Sequence, residues 1–127
     1  MPLPAVLIAD DSRIFRTLMS EVLRESGLDV VEAANGREAL DRAMSSRPGL
    51  LILDALMPLL SGFDVITRLR EKAPEYKPVV FIVTAVYKSR RWESEARQQY
   101  QVQEYFEKPL QPEDLVAAIK RHFPDVE

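Results

Sequence analysis

No cysteine occurs in the 127 residues, and there is one histidine, His122. The first absence excludes a disulfide framework, a thiolate zinc or iron–sulfur site and a cysteine nucleophile. The second excludes a multi-histidine metal site and leaves histidine-based catalysis little to work with. No apolar run approaches the roughly 18 residues of a membrane span. The opening Met1-Pro2-Leu3-Pro4 lacks the basic start and apolar stretch of a signal peptide, so a cytoplasmic location is expected. A formal net charge of −3, from 17 basic and 20 acidic residues, gives no general attraction to nucleic acid or an anionic membrane. Neither is expected as a direct partner. What remains is 46% hydrophobic and 29% charged, an ordinary globular balance. The length fits one domain over 1–127, with a core from about 5 to 123, large enough to fold without covalent staples.

Apolar runs of strand length alternate with helical patterns five times. Ala5-Val6-Leu7-Ile8-Ala9 is continuous, as expected of a strand covered on both faces. From Ser12 to Ser26, Ile14, Leu18 and Val22, with Phe15, Met19 and Leu23, form a helical stripe read as inward, and Gly27 stops it. Val30-Val31 is a shorter second strand, closed by Asn35-Gly36, and Arg37 to Ser46 is a helix with Ala39, Leu40, Ala43 and Met44 inward. Leu50 to Leu53 is the third strand, ending on Asp54, and Phe63 to Ala73 the helix after it. Val79 to Val83 is the fourth, ending on Thr84. Lys88 to Gln99 is a helix with a thin stripe of Trp92, Ala96 and Tyr100. Tyr105-Phe106 is the fifth strand, running into Lys108-Pro109, and a last helix begins near Pro112 and buries Leu115, Val116, Ala118, Ile119 and Phe123. This alternation predicts an α/β chain with a parallel sheet and right-handed crossovers, whose ligands sit at the carboxyl ends of the strands.

Those ends carry Asp10 and Asp11, then Asp54, Thr84 and Lys108. Singly, each has a plain reading: Asp11 or Ser12 caps a helix, Asp54 is a loop acid, Lys108 is solvated. All five at strand ends is a constellation. Three clustered carboxylates do not ionise together comfortably without a cation, and a hard dication with oxygen ligands, Mg2+, answers that. Lysine and threonine beside it suit an incoming phosphoryl group, and a carboxylate can itself attack phosphorus.

Asp10-Asp11, Asp54-Ala55-Leu56-Met57-Pro58 with Gly62, Thr84-Ala85, and Tyr105 ahead of Lys108-Pro109 together resemble a two-component response-regulator receiver domain of the chemotaxis type, with which a single-domain form is compatible. The resemblance implies a doubly wound (βα)5 flavodoxin-like three-layer sandwich with strand order 2-1-3-4-5. It implies Asp54 as phosphoacceptor, served by a histidine kinase or histidine phosphotransfer protein, in a switch that catalyses only its own phosphorylation and dephosphorylation. Mg2+ would be held by Asp10, Asp11, Asp54 and the backbone carbonyl of Leu56. Lys108 would contact the phosphoryl group, with a cis bond to Pro109, while Thr84 and Tyr105 act as switch residues. The fourth helix, fifth strand and fifth helix would face a downstream protein target or attached output domain, and phosphorylation-dependent dimerisation is compatible with this.

The chain departs from the family pattern in places. Gln101-Val102 stands where Gly-Ala is frequent. Lys88, Arg90, Arg91 and Arg97 outweigh Glu93 and Glu95 and, with Trp92, mark a candidate partner surface; the plainer reading is a solvated helix with Trp92 packed inward. Leu56 and Val86, two residues past Asp54 and Thr84, are apolar and are expected to shield an aspartyl phosphate from water. Among rivals, a flavin module lacks its phosphate loop and a dinucleotide fold its Gly-x-Gly-x-x-Gly turn, and no Walker A sequence exists. A haloacid-dehalogenase-type phosphatase would need Asp-x-Asp on the first strand. The alternative that survives is a phosphorylation-independent pseudo-receiver acting as an interaction module.

Overall fold

Among the described residues, five strands and five helices alternate without exception. The computed structural model describes residues 3–126; Met1 and Pro2 of the opening segment, and Glu127, lie outside the described residues. The strands are β1 (Ala5–Ala9), β2 (Asp29–Ala33), β3 (Leu50–Asp54), β4 (Val79–Thr84) and β5 (Glu104–Glu107). The helices are α1 (Arg13–Glu25), α2 (Gly36–Ser46), α3 (Gly62–Lys72), α4 (Arg90–Gln99) and α5 (Pro112–His122). All pairings are parallel, in the order β2-β1-β3-β4-β5. The chain therefore has the expected doubly wound fold. β2 and β5 run longer than expected, because their outer residues alternate with polar ones and do not read as apolar runs.

Each inner strand feeds two cores. Leu7, Ala9, Leu51, Leu53, Val80 and Ile82 face α2, α3 and α4, meeting Ala39, Leu40, Val65, Ile66 and Ala96. Their alternates Val6, Ile8, Leu50, Ile52, Phe81 and Val83 face α1 and α5, meeting Met19, Leu23, Leu115 and Ile119. This two-sided burial explains why the three central strands read as unbroken apolar runs. Among the described residues, no helix is long and apolar enough to cross a membrane.

The helix ends follow local chemistry. Ser12, Asn35, Ser61 and Ser89 cap α1 to α4 through side-chain oxygens that accept from backbone N–H groups. Ser61 and Asp64 form a reciprocal capping box, which the sequence reading passed over. Gly27 stops α1 with φ +86. A Cβ on Gly62 would lie 2.5 Å from the Asp54 carbonyl oxygen, so only glycine lets α3 start against the end of β3.

The first-helix stripe needs correction. Met19 and Leu23 are buried, but Ile14 is 85% exposed and Leu18 is exposed as well. Both exposed residues belong to the row one residue round the helix from Phe15, Met19 and Leu23, so they turn away from the sheet while Met19, in the same turn as Leu18, is buried.

Candidate functional site

Register brings the chemical groups to one edge. Ala9 pairs with Leu53, Asp54 with Val83, and Thr84 with Glu107. Asp10, Asp54, Thr84 and Lys108 thus emerge at the carboxyl ends of four adjacent strands, β1, β3, β4 and β5.

Asp10 is 1% exposed and fully engaged. Its Oδ1 accepts from the Ser12 N–H at 2.8 Å, and its Oδ2 lies 2.7 Å from Lys108 Nζ. Asp54, 7% exposed, accepts from the Leu56 N–H at 3.2 Å and lies 3.5 Å from the same ammonium. Asp11 is exposed beside them. One oxygen from each of the three aspartates falls within 4.8 Å of the others. This hard-oxygen donor set, with too little positive charge of its own, fits Mg2+.

The electrostatics follow from that crowding. Burial first, then the Asp10 charge, push the Asp54 carboxyl up to about 6, although Lys108 and the Leu56 N–H oppose the shift. Burial works against the charge on Lys108, but Asp10 and Asp54 more than offset it and raise its pKa above the ordinary value. The ammonium also sits 4.4 Å from the centre of the Phe15 ring. The Lys108–Pro109 peptide bond is cis.

Thr84 is buried, and its Oγ1 accepts from the N–H groups of Val86 and Tyr87, each at 3.0 Å. Tyr105 points inward and donates its hydroxyl to the Tyr87 carbonyl. Burial, reinforced by Glu107, pushes its phenol to about 12, so it stays a donor at neutral pH. Both side chains therefore grip one residue, Tyr87, from opposite sides of its backbone.

A cleft of about 440 Å3 opens over Asp11, Asp54 and Lys108, walled by Leu56, Met57 and Val86. Leu56 and Val86 are exposed on its rim; away from its lining, Leu59 and, on α1, Ile14 and Leu18 are exposed as well.

The candidate partner helix divides. Lys88, Arg90 and Arg91 are exposed, and among the described residues none of them makes an ion pair. Arg97 instead turns back on its own fold, pairing with Glu93 at 3.0 Å and Glu104 at 3.8 Å and donating to the Gln103 carbonyl at 2.6 Å. Trp92 is not packed inward; it is 39% exposed and rests on Tyr87 with ring centres 4.8 Å apart. Of α4, only Ala96 is fully buried.

Sequence reasoning missed Phe15, which it placed in the core stripe but not under Lys108, and Arg16, which donates to the Asp10 carbonyl at 2.7 Å. A cation in the first turns of a helix lacking acids there was the available signal for Arg16.

Comparison with known proteins agrees with this geometry. The model of the response regulator receiver domain family matches residues 6–120. The chain is 35% identical over 116 residues to the transcriptional regulatory protein PdtaR of Mycobacterium tuberculosis, covering 91% of this chain and 54% of that protein. It is 30% identical over 115 residues to the alkaline phosphatase synthesis transcriptional regulatory protein PhoP of Bacillus subtilis, covering 91% and 46%. Thus it spans about half the length of these curated relatives. Among solved structures, the chemotaxis protein CheY4 of Vibrio cholerae is similar with a TM-score of 0.84 and 29% identity, covering 94% of this chain and 98% of that one.

The raised Asp54 pKa makes stability depend on pH. Because the folded value, about 6, exceeds the ordinary 3.8, the folded state holds the proton more tightly. Its contribution is complete below about pH 4 and is lost as pH rises through 6. In metal-free buffer, Asp54→Asn is therefore expected to be the more stable protein at pH 7.5, by on the order of 2 kcal/mol, with the gap closing towards pH 4. Urea midpoints in EDTA at the two pH values measure this.

Proposed function

The chain belongs to the response-regulator receiver family, and on that premise we propose that it is a cytoplasmic phospho-accepting switch whose acceptor is Asp54. The observation that carries the reading is the convergence of Asp10, Asp11, Asp54, Thr84 and Lys108 at one sheet edge. A pseudo-receiver would need none of these five groups to be kept together.

In the proposed reaction, an Asp54 carboxylate oxygen attacks the phosphorus of a phosphohistidine on a histidine kinase or phosphotransfer protein. The P–N bond breaks, its electron pair stays with the imidazole, and an acyl phosphate forms. With a pKa of about 6, Asp54 is largely ionised at neutral pH. Lys108 supplies a fixed positive charge for the phosphoryl oxygens. Asp10, Asp11 and Asp54, with the Leu56 carbonyl, would hold Mg2+, which supplies charge neutralisation when bound. Leu56 and Val86, on the cleft rim, restrict the approach of water to the product.

Thr84 Oγ1 is the natural donor to a new phosphoryl oxygen. Turning to it means releasing the N–H groups of Val86 and Tyr87, and Tyr87 also receives the Tyr105 hydroxyl and carries Trp92. The new charge thereby biases the β4–α4 loop and the α4–β5–α5 face between two states. Lys88, Arg90, Arg91 and Trp92 present that change to a downstream protein, an attached output domain or a second copy. Arg97, held in ion pairs, belongs to the scaffold of this face.

Incubation with Mg2+ and a small phosphodonor tests the switch by mass. One phosphoryl group is expected on the native protein, and none in EDTA or on Asp54→Ala; no gain, or equal gain on the variant, contradicts the reading. The exposed apolar side chains of Ile14 and Leu18 support docking of the phosphohistidine partner along α1. Ile14→Asp with Leu18→Asp is expected to slow transfer from a phosphorylated histidine donor by about tenfold or more, as loss of an apolar contact does. Phosphorylation by the small donor should stay unchanged, and the two initial rates measure it.

A further inference from the structure

The turn that carries the acidic pair is gripped from the neighbouring strand. The Asp10 N–H donates to the Ala33 carbonyl at 3.1 Å. On its other side, the Asp10 carbonyl accepts from Arg16 Nη1 at 2.7 Å. The same guanidinium donates through Nε to Glu32 Oε1 at 3.2 Å, and Glu32 belongs to β2, opposite Ile8 of β1. The second oxygen of Glu32 accepts from Arg24 at 3.3 Å, and Arg24 also donates to the Val30 carbonyl at 3.1 Å. Arg24 is half exposed and adds little by itself. Arg16 is different: its side chain is only 16% exposed, and its planar fork spans two partners on two elements.

Helix electrostatics do not explain a cation at this place. Arg16 stands near the start of α1, the positive end of the helix dipole, where an acid would be favoured and none is present in the first turn. A positive charge here also works against a dication bound a few residues away. What the position supplies is a fixed Asp10 carbonyl, and with it a fixed direction for the Asp10 and Asp11 side chains that follow.

We infer that Arg16 is a positioning residue for the divalent-cation site: braced by Glu32, it holds the β1–α1 turn so that Asp10 and Asp11 converge on Asp54. The inference rests on the reading of these three aspartates as an Mg2+ site. It goes beyond that reading by placing part of the control of cation affinity on β2, away from every ligand.

The two physical effects of removing Arg16 have opposite signs, which makes the inference testable. Loss of its charge alone would tighten Mg2+ binding by relieving repulsion. Loss of the brace weakens it, and removal of groups that orient metal ligands weakens affinity by about 10–100-fold. Isothermal titration of the purified, unphosphorylated protein with MgCl2 is the experiment, on the native chain, Arg16→Gln, Arg16→Lys and Glu32→Gln. Each variant is first shown to be folded by its circular dichroism and cooperative melting.

The expected result is a single Mg2+ on the native protein and roughly tenfold weaker binding to Arg16→Gln. Arg16→Lys keeps the charge but lacks the fork, so its binding also stays weakened. Glu32→Gln is expected to move in the same direction by a smaller factor. Unchanged or tighter binding to Arg16→Gln, even with a lowered melting temperature, overturns the inference, because a merely structural role would move melting alone. Should Arg16→Gln fail to fold, native affinity in both Arg16→Lys and Glu32→Gln overturns it equally. Native protein that binds no Mg2+ overturns the metal-site reading itself, and the two failures are thus told apart.

Discussion

Three carboxylates and one ammonium share the end of a single sheet, and that imbalance of charge shapes everything around it. Asp10 takes most of the Lys108 ammonium, at 2.7 Å against 3.5 Å for Asp54. Asp54 is left under-compensated in a buried position, with its carboxyl pushed up to about 6. Such a group is strained in the metal-free state and relieved by a cation. The two hydrophobic cores supply the opposing force. They fix β1, β3 and β4 side by side, so the carboxylates have no room to spread apart.

The same edge is wired to the surface through few atoms. Thr84 and Tyr105 both end on Tyr87, one accepting from its N–H and one donating to its carbonyl. The Tyr87 ring lies between Trp92 and Phe63, and Phe63 continues to Tyr100 at 4.7 Å between ring centres. On the proposed reading, a change at Thr84 would reach an aromatic row beside α4 through these contacts. α4 suits a moving part, because only Ala96 ties it fully into the core. The basic residues of its amino-terminal end, Arg90 and Arg91, stay in solvent.

The inner strands were legible because burial on both faces leaves an unbroken apolar run, and each run ended on the residue that carries chemistry. The strand-end constellation Asp10, Asp11, Asp54, Thr84 and Lys108 followed from that punctuation alone. Its roles, and the strand order, came from likeness to a family rather than from the runs themselves. The outer strands were truncated because Asp29, Glu32, Glu104 and Glu107 break the apolar pattern. Ile14 and Leu18 were misplaced for another reason. The apolar residues of α1 form two adjacent rows four residues apart, and helical periodicity does not say which of the two rows faces the sheet. The Arg16 brace needed knowledge that β2 lies beside β1, which no local pattern carries. Trp92 was open between two readings, and packing against Tyr87 decided for the exposed one.

The central claim is that Asp54, among the three clustered aspartates, takes the phosphoryl group. Borohydride reduction of the phosphorylated protein converts an aspartyl phosphate to homoserine, which peptide mass spectrometry then locates. The account predicts homoserine at position 54 and unmodified aspartate at Asp10 and Asp11. Homoserine at either of those positions, or a phosphoryl group that borohydride leaves in place on another residue type, would contradict it.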